Sequence, residues 1–474
     1  MLQRVAVGFG GLALNSMLAS QGHAAAGPLA ARPLAPLAPH FPARARRIIF
    51  LFMQGGPSHV DTFDPKPMLD RHDGKPPPFK LARVKFAQSG NLLGSPWKFR
   101  PTGKSGLPMS ELWQHLPEVA DELCMLHSVC ETNVAHGGAT MKLHTGDEAL
   151  VRPSMGSWVS YGLGTENNNL PSYITICPSS LHGGVNNWGA AFLPAVHQGV
   201  PLGTPGYPNS FAKDARFKYM ESDRPLKAQQ LQLELLRNLH QQRETDDPQF
   251  SARLQSFELA FRMQMAAPEA MDLSGETAAT KRLYGMDDKR TEDFGQQCLL
   301  ARRFAERGVR FIQVNHGHTL KALGVPTNEQ WDQHSHLKAG HEINAAQVDR
   351  PITGLIQDLK SRGLLDDTLV LWGGEFGRSP TAEVTKNKAN IGRDHHTEGF
   401  TMWMAGGGVK GGFRYGATDD FGYYAVENRM TIHDLHATIL HLMGLDHTRL
   451  TYRYASREFR LTDVHGNVAS EIIA

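Results

Sequence analysis

The sequence has little cysteine and almost no net charge. Only 4 of its 474 residues are cysteine, and they form no CxxC pair, so neither a zinc knuckle nor a disulfide scaffold is expected. The 49 basic and 47 acidic side chains leave a formal net charge of +2, which argues against a nucleic-acid partner. Beyond the N-terminal segment no apolar run is long enough to span a bilayer, so no stable membrane insertion is expected.

Two catalytic signatures are also absent. No G-x-S-x-G segment occurs, which argues against a Ser-His-Asp hydrolase built on a nucleophile elbow. The H-x-H-x-D-H pattern of metallo-β-lactamase-like hydrolases fails as well, because His334-Ser335-His336 is followed by Leu337-Lys338. With 41% hydrophobic and 20% charged residues, the chain can still bury a large core, so general disorder is excluded.

The N-terminus has the order of a secretory signal peptide. Arg4 precedes an apolar stretch over residues 5–19, and small residues follow at 24–27. We therefore expect a signal peptide over residues 1–26 and export to the periplasm or beyond; a frayed amphipathic N-terminus is the alternative. Residues 27–45 are rich in proline and alanine and indicate a linker, and residues 46–474 form the folded domain.

Short apolar runs alternate with helical patterns along the domain. Buried strands are predicted at 48–53, 173–177, 309–314, 368–372 and 400–405. This alternation favours an α/β fold with a mostly parallel central sheet and helices on both faces. Residues 224–271 predict a helical insertion, in which Leu231, Leu235 and Leu239 would face the core. The spacing of Thr431 and Asp434 predicts a capping box at the start of the last helix.

Histidine is the residue in excess. There are 23 histidines, and nearly half of them lie between His316 and His447. Asp332, His334 and His336 place a carboxylate and two imidazoles within five residues, which is typical of a site for Zn²⁺ or a similar divalent ion. In an extended loop the two imidazoles would point the same way. Solvated histidines beside a helix cap are the alternative.

A second cluster combines an arginine with three ligand-type residues. Arg393 is followed by Asp394, His395 and His396, just before the strand predicted at 400–405. The combination indicates a metal site beside an anion site. A charged turn is the alternative interpretation.

Two further segments follow predicted strands directly. Glu375 comes after the strand at 368–372, and Arg378 could bind a phosphate or sulfate through two parallel hydrogen bonds. A structural Glu–Arg pair would account for them equally well. His59 and Asp61 follow the first strand and carry metal-ligand chemistry at a spacing of two.

Thr132 is the candidate nucleophile. It precedes His136 and a predicted helix that ends near Gly146, so its hydroxyl could lie at a helix N-terminus, where an anion is stabilised. Thr132 as a plain helix cap is the alternative. Ser154 and Ser157 are rival hydroxyls.

Several ordered blocks resemble one protein family. They include LFMQGGPSHVDTFDPKP, RPSMGSWVSYGLGTEN, LARRFAERGVRFIQV, WDQH, GLLDDTLVLWGGEFGRSP, GRDHH and AGGGVKGG. Together they resemble the bacterial domain-of-unknown-function 1501 family from about Arg46 to Thr462, a family of typically exported, sulfatase-like proteins. That family is in turn similar to the alkaline phosphatase and sulfatase superfamily, whose members hydrolyse phosphate or sulfate esters with two metals.

The resemblance implies roles for several residues. Thr132, four residues before His136, falls at the nucleophile's place of nucleotide pyrophosphatases. Asp332 and His336 match the superfamily's D-x-x-x-H metal pair, with His334 as a competitor. His395 or His396 matches its late metal histidine.

The sequence also departs from the superfamily pattern. Gln54 stands where the first aspartate is expected, and Glu375-Phe376 stands where an Asp-His pair is expected. The second metal site is therefore weakened, although Glu375 could stand in, with Asp61 or His59 beside it. The absence of C-x-P-S-R argues against the formylglycine mechanism of sulfatases.

These observations predict an exported, metal-dependent hydrolase of phosphate or sulfate esters with an alkaline phosphatase-like fold. One divalent metal, expected to be zinc, would be held by Asp332, His336 and His395, and Arg378 or Arg393 would steady the substrate's oxygens. The partner would be a small-molecule or glycan ester. A non-catalytic exported protein that binds a sulfated or phosphorylated glycan is the rival. The sequence does not indicate the oligomeric state.

Overall fold

The structure is a computed structural model that describes residues 34–82, 89–207, 209–218, 220, 222, 224–241, 248–317, 330–384 and 390–474. The predicted signal peptide, residues 1–26, lies outside this part of the chain. Residues 34–45 of the predicted linker contain no helix or strand. Their backbone is nevertheless bonded to the domain, since the amides of Leu37 and His40 donate to the carbonyls of Leu163 and Gly444.

A central sheet organises the molecule. Its nine strands are numbered here in chain order as β1 Arg47–Met53, β2 Leu123–Cys130, β3 Tyr173–Ile176, β4 Val200–Leu202, β5 Phe311–His316, β6 Thr368–Gly373, β7 Phe400–Ala405, β8 Phe413–Tyr415 and β9 Met430–Thr431. All five predicted strands are present, with bounds within two residues of the prediction.

The sheet is mostly parallel, as predicted. The strand order is β8-β2-β7-β6-β1-β5-β3-β4, and β9 pairs beside β2. Only β7 is reversed, running antiparallel to its neighbours β2 and β6. Because β7 is reversed, its first residues lie at the edge where the other strands end. Side chains that follow the parallel strands and side chains that precede β7 therefore meet at one edge of the sheet.

Both faces of the sheet are buried, which explains its continuous apolar runs. On β1, Ile49 and Leu51 join one core cluster, whereas Ile48 and Phe50 join the other. All four side chains have 0% exposure. Successive side chains of a strand point to opposite faces, so an unbroken apolar run needs cover on both sides.

The cover comes from helices on the two faces. Those of eight or more residues in the described chain are α1 His136–Thr145, α2 Met155–Leu163, α3 Leu226–Gln241, α4 Pro248–Met271, α5 Glu292–Glu306, α6 Leu337–Ser361 and α7 Ile432–Leu442. The predicted capping box at α7 is confirmed: the Thr431 hydroxyl accepts from the Asp434 amide, and the Asp434 carboxylate accepts from the Thr431 amide.

The predicted core stripe of the insertion is wrong. The segment 224–271 does hold two long helices, α3 and α4. However, Leu231, Leu235 and Leu239 are 57%, 58% and 49% exposed, whereas Leu233 is only 6% exposed. Helix α3 thus turns a different face inward, and three leucines at a spacing of four point to solvent. Periodicity identified the helix but not the direction of its buried side.

The four cysteines are all buried and free. No helix in the described ranges is both long enough and apolar enough to span a membrane.

Candidate metal centre

Three histidines and an aspartate converge at the carboxyl edge of the sheet. His136, Asp332, His334 and His395 each place one ligand-type atom within 4.8 Å of the others'. We call these four side chains the His₃Asp group. None is adjacent to another in sequence, and they come from three separate parts of the chain.

The sheet topology brings these parts together. His136 is the first residue of α1, which follows β2. Asp332 and His334 lie in the loop that leads into α6, downstream of β5. His395 lies in a two-residue strand, His395–His396, that pairs with Gly377–Arg378 and precedes the reversed strand β7. The reversal of β7 is therefore what places His395 at the edge where β2 and β5 end.

The three imidazoles meet on one carboxylate through the same ring nitrogen. The Nε2 atoms of His334 and His395 lie 3.0 and 3.1 Å from Oδ1 of Asp332. Nε2 of His136 lies 3.0 Å from Oδ2 of the same carboxylate, but in a geometry that makes no hydrogen bond. The His334 and His395 Nε2 atoms are 3.0 Å apart.

The other ring nitrogen of each histidine is held by an oxygen. Nδ1 of His136 is 2.6 Å from Glu375 Oε1, and Nδ1 of His334 is 2.5 Å from Glu383 Oε2. Nδ1 of His395 is 2.6 Å from the backbone carbonyl of Val134. Each oxygen accepts a hydrogen bond from Nδ1, which orients the ring and turns Nε2 into the His₃Asp group.

This arrangement requires positive charge at its centre. Three Nε2 lone pairs directed at a carboxylate repel one another and the carboxylate, unless protons or a cation lie between them. Three imidazole nitrogens and one carboxylate oxygen are also a common donor set for Zn²⁺ and similar ions. The residues present therefore fit a divalent metal.

The pKa values of the histidines reflect the same crowding. Burial opposes protonation of His136, but the neighbouring Asp332 and Glu375 carboxylates outweigh burial and raise its pKa to about 9. For His334, burial is likewise outweighed by Asp332 and Glu383, and the pKa rises to about 9. For His395, burial dominates and lowers the pKa to about 4.

Arg378 holds the central carboxylate and has no exposed surface. Its Nη2 lies 2.5 Å from Oδ1 of Asp332, and its other donors reach the carbonyls of Gly55, Gly56 and Arg393. Burial would raise the pKa of Asp332, but the Arg378 charge and the three histidines hold it well below its usual range. Arg378 is fully buried and its donors are engaged within the protein.

Glu375, a predicted metal ligand, contacts the His₃Asp group only at Nδ1 of His136, the ring nitrogen that faces away from Asp332. Its carboxylate accepts from the Gly55 amide at 3.0 Å and binds Nδ1 of His136. Gly55 has a φ of +110°, and a Cβ there would lie 2.7 Å from the amide nitrogen of Asp332. Only glycine therefore permits this approach of β1's end to the Asp332 loop.

Asp61 and Arg393 pair with each other. Nε and Nη2 of Arg393 lie 2.7 and 3.1 Å from the two oxygens of Asp61, and both side chains are fully buried. Nη2 of Arg393 also donates to the Leu93 carbonyl. Neither Asp61 nor Arg393 belongs to the His₃Asp group.

Three predicted histidine ligands lie apart from the group. His59 and His396 stack with ring centroids 5.9 Å apart, and their Nε2 atoms bond to the carbonyls of Gly422 and Tyr423. His336 has a φ of +54°, directly before α6, and its Nδ1 lies 3.1 Å from the Ser335 hydroxyl. The loop is bent rather than extended, so His334 and His336 do not act as a pair.

Asp394 belongs to a second possible ligand group. Its carboxylate, the Glu383 carboxylate and the His334 imidazole place ligand-type atoms within 4.8 Å of one another. Asp394 Oδ1 accepts from the His395 amide at 2.8 Å and lies 3.9 Å from Nδ1 of His334. Burial raises the pKa of Asp394. This second group shares His334 with the first.

The two departures from the superfamily pattern are both buried. Phe376 is 1% exposed and packs on the rings of His136 and His395, with centroids 4.9 and 4.4 Å apart. Gln54 is 4% exposed, and its carbonyl accepts from the Trp331 amide. An apolar ring thus covers one side of the His₃Asp group.

Thr132 lies before the helix rather than at its N-terminus. Helix α1 begins at His136, and its N-cap residue is Ala135. The Thr132 hydroxyl accepts from Lys142 Nζ at 2.7 Å and can donate to Glu148 Oε2 at 3.0 Å. It lines a separate cavity of about 480 Å³ whose lining includes none of the His₃Asp group.

The rival hydroxyls have structural partners. Ser154 is the N-cap of α2 and accepts from the Ser157 amide, and Ser157 donates to the Gly189 carbonyl at 3.0 Å.

Sequence patterns missed several residues that contact the site. Glu383 and Val134 hold the Nδ1 atoms of His334 and His395 but belong to no motif. His182, which follows β3, stacks on His136 with centroids 4.6 Å apart. Burial lowers the pKa of His182. Its position after a strand was the only signal that could have pointed to it.

The fold and site define a layered α/β protein with a candidate metal centre at the carboxyl edge of its sheet. The model of a family described as "Protein of unknown function (DUF1501)" matches residues 45–473. The chain belongs to this family. A search of curated proteins finds no matching relative.

Three solved structures that this chain is similar to are a sulfatase, an alkaline phosphatase and a phosphonate monoester hydrolase. The PsFucS1 sulfatase from Pseudoalteromonas sp. is 11% identical, with a TM-score of 0.34 and coverage of 94% of this chain and 71% of that chain. The alkaline phosphatase from the Antarctic bacterium TAB5 is 11% identical, with a TM-score of 0.34 and coverage of 85% and 99%. The phosphonate monoester hydrolase SpPMH from Silicibacter pomeroyi is 14% identical, with a TM-score of 0.32 and coverage of 70% and 68%.

Proposed function

We propose that this protein is a metal-dependent hydrolase of phosphate or sulfate esters. One observation carries the proposal: three imidazoles present Nε2 to a single carboxylate, and each is held at Nδ1 by an oxygen. Residues that merely fill a loop do not need three such supports. Metal-binding histidines almost always have them.

The chain would hold the metal with His136, Asp332, His334 and His395. When bound there, a divalent cation supplies the Lewis-acid charge that ester hydrolysis of an anionic substrate requires. Glu375 and Glu383 would fix the orientation of the His136 and His334 imidazoles. Arg378 would keep Asp332 ionised and in place. Phe376 shields one side of the site from water.

Thr132 remains the proposed nucleophile. Its hydroxyl can donate to Glu148, so the carboxylate could take the proton as Oγ1 bonds to phosphorus or sulfur and the ester's alcohol oxygen leaves. Lys142 holds the same oxygen at 2.7 Å, and its charge favours the alkoxide. Hydrolysis of the resulting covalent ester by water would restore the threonine.

Export is part of the proposal and rests on the sequence of residues 1–26. Zinc is the metal we propose, because the donor set is dominated by imidazole nitrogen.

The test is hydrolysis before and after metal removal. The protein is dialysed against EDTA, reloaded with Zn²⁺, Mn²⁺ or Mg²⁺, and assayed with 4-nitrophenyl phosphate and 4-nitrophenyl sulfate. Activity should vanish on removal, return with at least one metal, and stay absent in His395→Ala. His115→Ala, which changes a half-exposed histidine outside the site, should match the native protein. Turnover that survives metal removal would refute the proposal.

A non-catalytic glycan-binding protein on the same fold is the second candidate. The apolar Phe376 against two ligand rings favours it, because the superfamily pattern has an imidazole at this position. Stoichiometric metal without turnover across a broad panel of phosphate and sulfate esters would support this candidate over the first.

A further inference from the structure

The cavity beside Thr132 has features of a ligand site in its own right. It measures about 480 Å³, which is in the range of pockets for small molecules, and lies where β2 ends and α7 begins. The lining is mostly polar and comprises Cys130, Glu131, Thr132, Lys142, Arg429, Thr431, Ile432, His433, Asp434, Val464, His465, Gly466 and Asn467.

Glu131 is a buried residue of this lining, and only one of its two carboxylate oxygens accepts hydrogen bonds from the described residues. The side chain has no exposed surface, and Oε1 accepts from the amides of Thr132 and Asn133 at 2.7 and 3.1 Å. Oε2 has no hydrogen-bond partner among the described residues. Buried carboxylate oxygens are nearly always paired, so a partner from outside the chain would satisfy it.

Cations stand beside this carboxylate. Lys142 Nζ lies 3.6 Å from Glu131 Oε1. Arg429 is anchored through Nε, which donates to Cys130 Sγ at 3.1 Å, while its side chain is 58% exposed and Nη2 is 3.9 Å from Glu398. The outer guanidinium edge can therefore bind an anionic group.

The remaining carboxylate of the lining is already saturated. Asp434 accepts from Thr431 in the capping box and from the amide and side chain of Asn467. His433 and His465 stack with centroids 5.1 Å apart and form a flat wall. Lys142 is engaged with the Thr132 hydroxyl and with Glu131 Oε1. Arg429 is therefore the cation of the lining left to bind an anionic group, and Glu131 Oε2 is the acceptor left without a partner among the described residues.

We propose that this cavity binds a small anion that carries a hydroxyl group, such as a sugar sulfate or sugar phosphate. The ligand's hydroxyl would donate to Glu131 Oε2, and its anionic group would bind Arg429. A hydroxyl suits Glu131 better than an ammonium does, because Lys142 already provides positive charge there. The proposal rests on the proposed function and deepens it, since Thr132, the proposed nucleophile, lines the cavity.

The experiment is calorimetric titration of the metal-free full-length protein with glucose 6-sulfate. Free of metal, the protein should not turn the probe over, so binding is measured apart from hydrolysis. We expect Arg429→Ala and Glu131→Gln each to weaken binding at least tenfold, whereas Arg449→Ala, at an exposed arginine, should leave it unchanged. Glucose and inorganic sulfate should each bind at least tenfold more weakly than the combined ligand.

Three results would overturn the proposal. They are an absence of binding by the native protein, equal binding by Arg429→Ala or Glu131→Gln, and tighter binding of taurine, which has an ammonium instead of hydroxyls. Retained folding of each variant is checked by its thermal unfolding. Because the titration needs no metal, its failure would leave the hydrolase proposal standing, and failed hydrolysis would leave this site standing.

Discussion

The Nε2 atoms of His334 and His395 face each other at 3.0 Å, and both lie within 3.1 Å of the same oxygen of Asp332. Their Nδ1 atoms point away, toward Glu383 and the Val134 carbonyl. Two imidazoles oriented by separate oxygens toward one acceptor are a strained arrangement without shared positive charge. We assign that charge to a metal.

Glu383 should control metal affinity without being a ligand of the His₃Asp group. In Glu383→Gln the acceptor for Nδ1 of His334 is weakened, so we expect metal affinity to fall about 10- to 100-fold. Competition with a chromogenic chelator measures the affinity. Glu118→Gln removes the acid of a surface Glu–His pair and should leave affinity unchanged. Equal affinity in Glu383→Gln would show that the contact does not orient the ligand.

Asp61 should matter for stability rather than for metal. Asp61→Asn leaves Arg393 buried without its partner, and losing one member of a buried pair costs about 3–5 kcal/mol. Urea unfolding should record that loss, while metal content per chain stays that of the native protein. If metal content fell and the free energy of unfolding did not, Asp61 would be a ligand, as its spacing to His59 suggested.

Thr132 should be required for turnover if it is the nucleophile. We expect Thr132→Ala to reduce kcat for aryl phosphate or sulfate at least about 100-fold, and Thr132→Ser to retain activity within about tenfold. The control is Thr448→Ala, at an exposed position. Unchanged kcat in Thr132→Ala would leave the hydroxyl with only its contacts to Lys142 and Glu148.

Buried neutral histidines should make the fold sensitive to acid. Burial lowers the pKa of His436 from 6.5 to about 3, and that of His197 also to about 3. Such a histidine takes up its proton only on unfolding, so stability is complete above pH 6.5 and is lost as pH falls toward 3. Each contributes a slope of at most about 1.4 kcal/mol per pH unit.

His436→Gln isolates one of these contributions. The amide can replace Nε2 in its hydrogen bond to the Leu143 carbonyl without titrating. Urea unfolding at several pH values between 4 and 7 should give a shallower slope for this variant, whereas His115→Gln should keep the native slope. Equal slopes for His436→Gln and the native protein would contradict the assignment.

The sheet could be predicted from the sequence because its strands are buried on both faces. The run of β7 was predicted at the residues observed, whereas β5 starts at Phe311 rather than at Val309, since Gly308 takes a φ of +80° and the chain joins the sheet two residues later. The face of α3 could not be predicted. Its leucines repeat on two sides, and their spacing does not indicate that Leu233 is the buried one.

The sequence predicted several residues of the candidate site, but not which side chains contact one another there. Asp332, His334 and His395 stand out by residue type and position after strands. The choice of His334 over His336 depends on a bend in the loop, and the roles of Glu383 and Val134 depend on contacts between distant segments. Residue spacing predicts neither the choice of His334 nor the roles of Glu383 and Val134, because these depend on which segments meet at the edge of the sheet.

Counting metal ions per chain decides whether the His₃Asp group binds a metal. The protein is stripped, loaded with Zn²⁺, dialysed, and analysed by mass spectrometry for metal per chain. We expect one tightly held divalent ion in the native protein and in His115→Ala. We expect that ion to be lost in His395→Ala and His136→Ala, with folding retained. Absence of stoichiometric metal in the native protein, or equal metal in His395→Ala, would contradict this expectation.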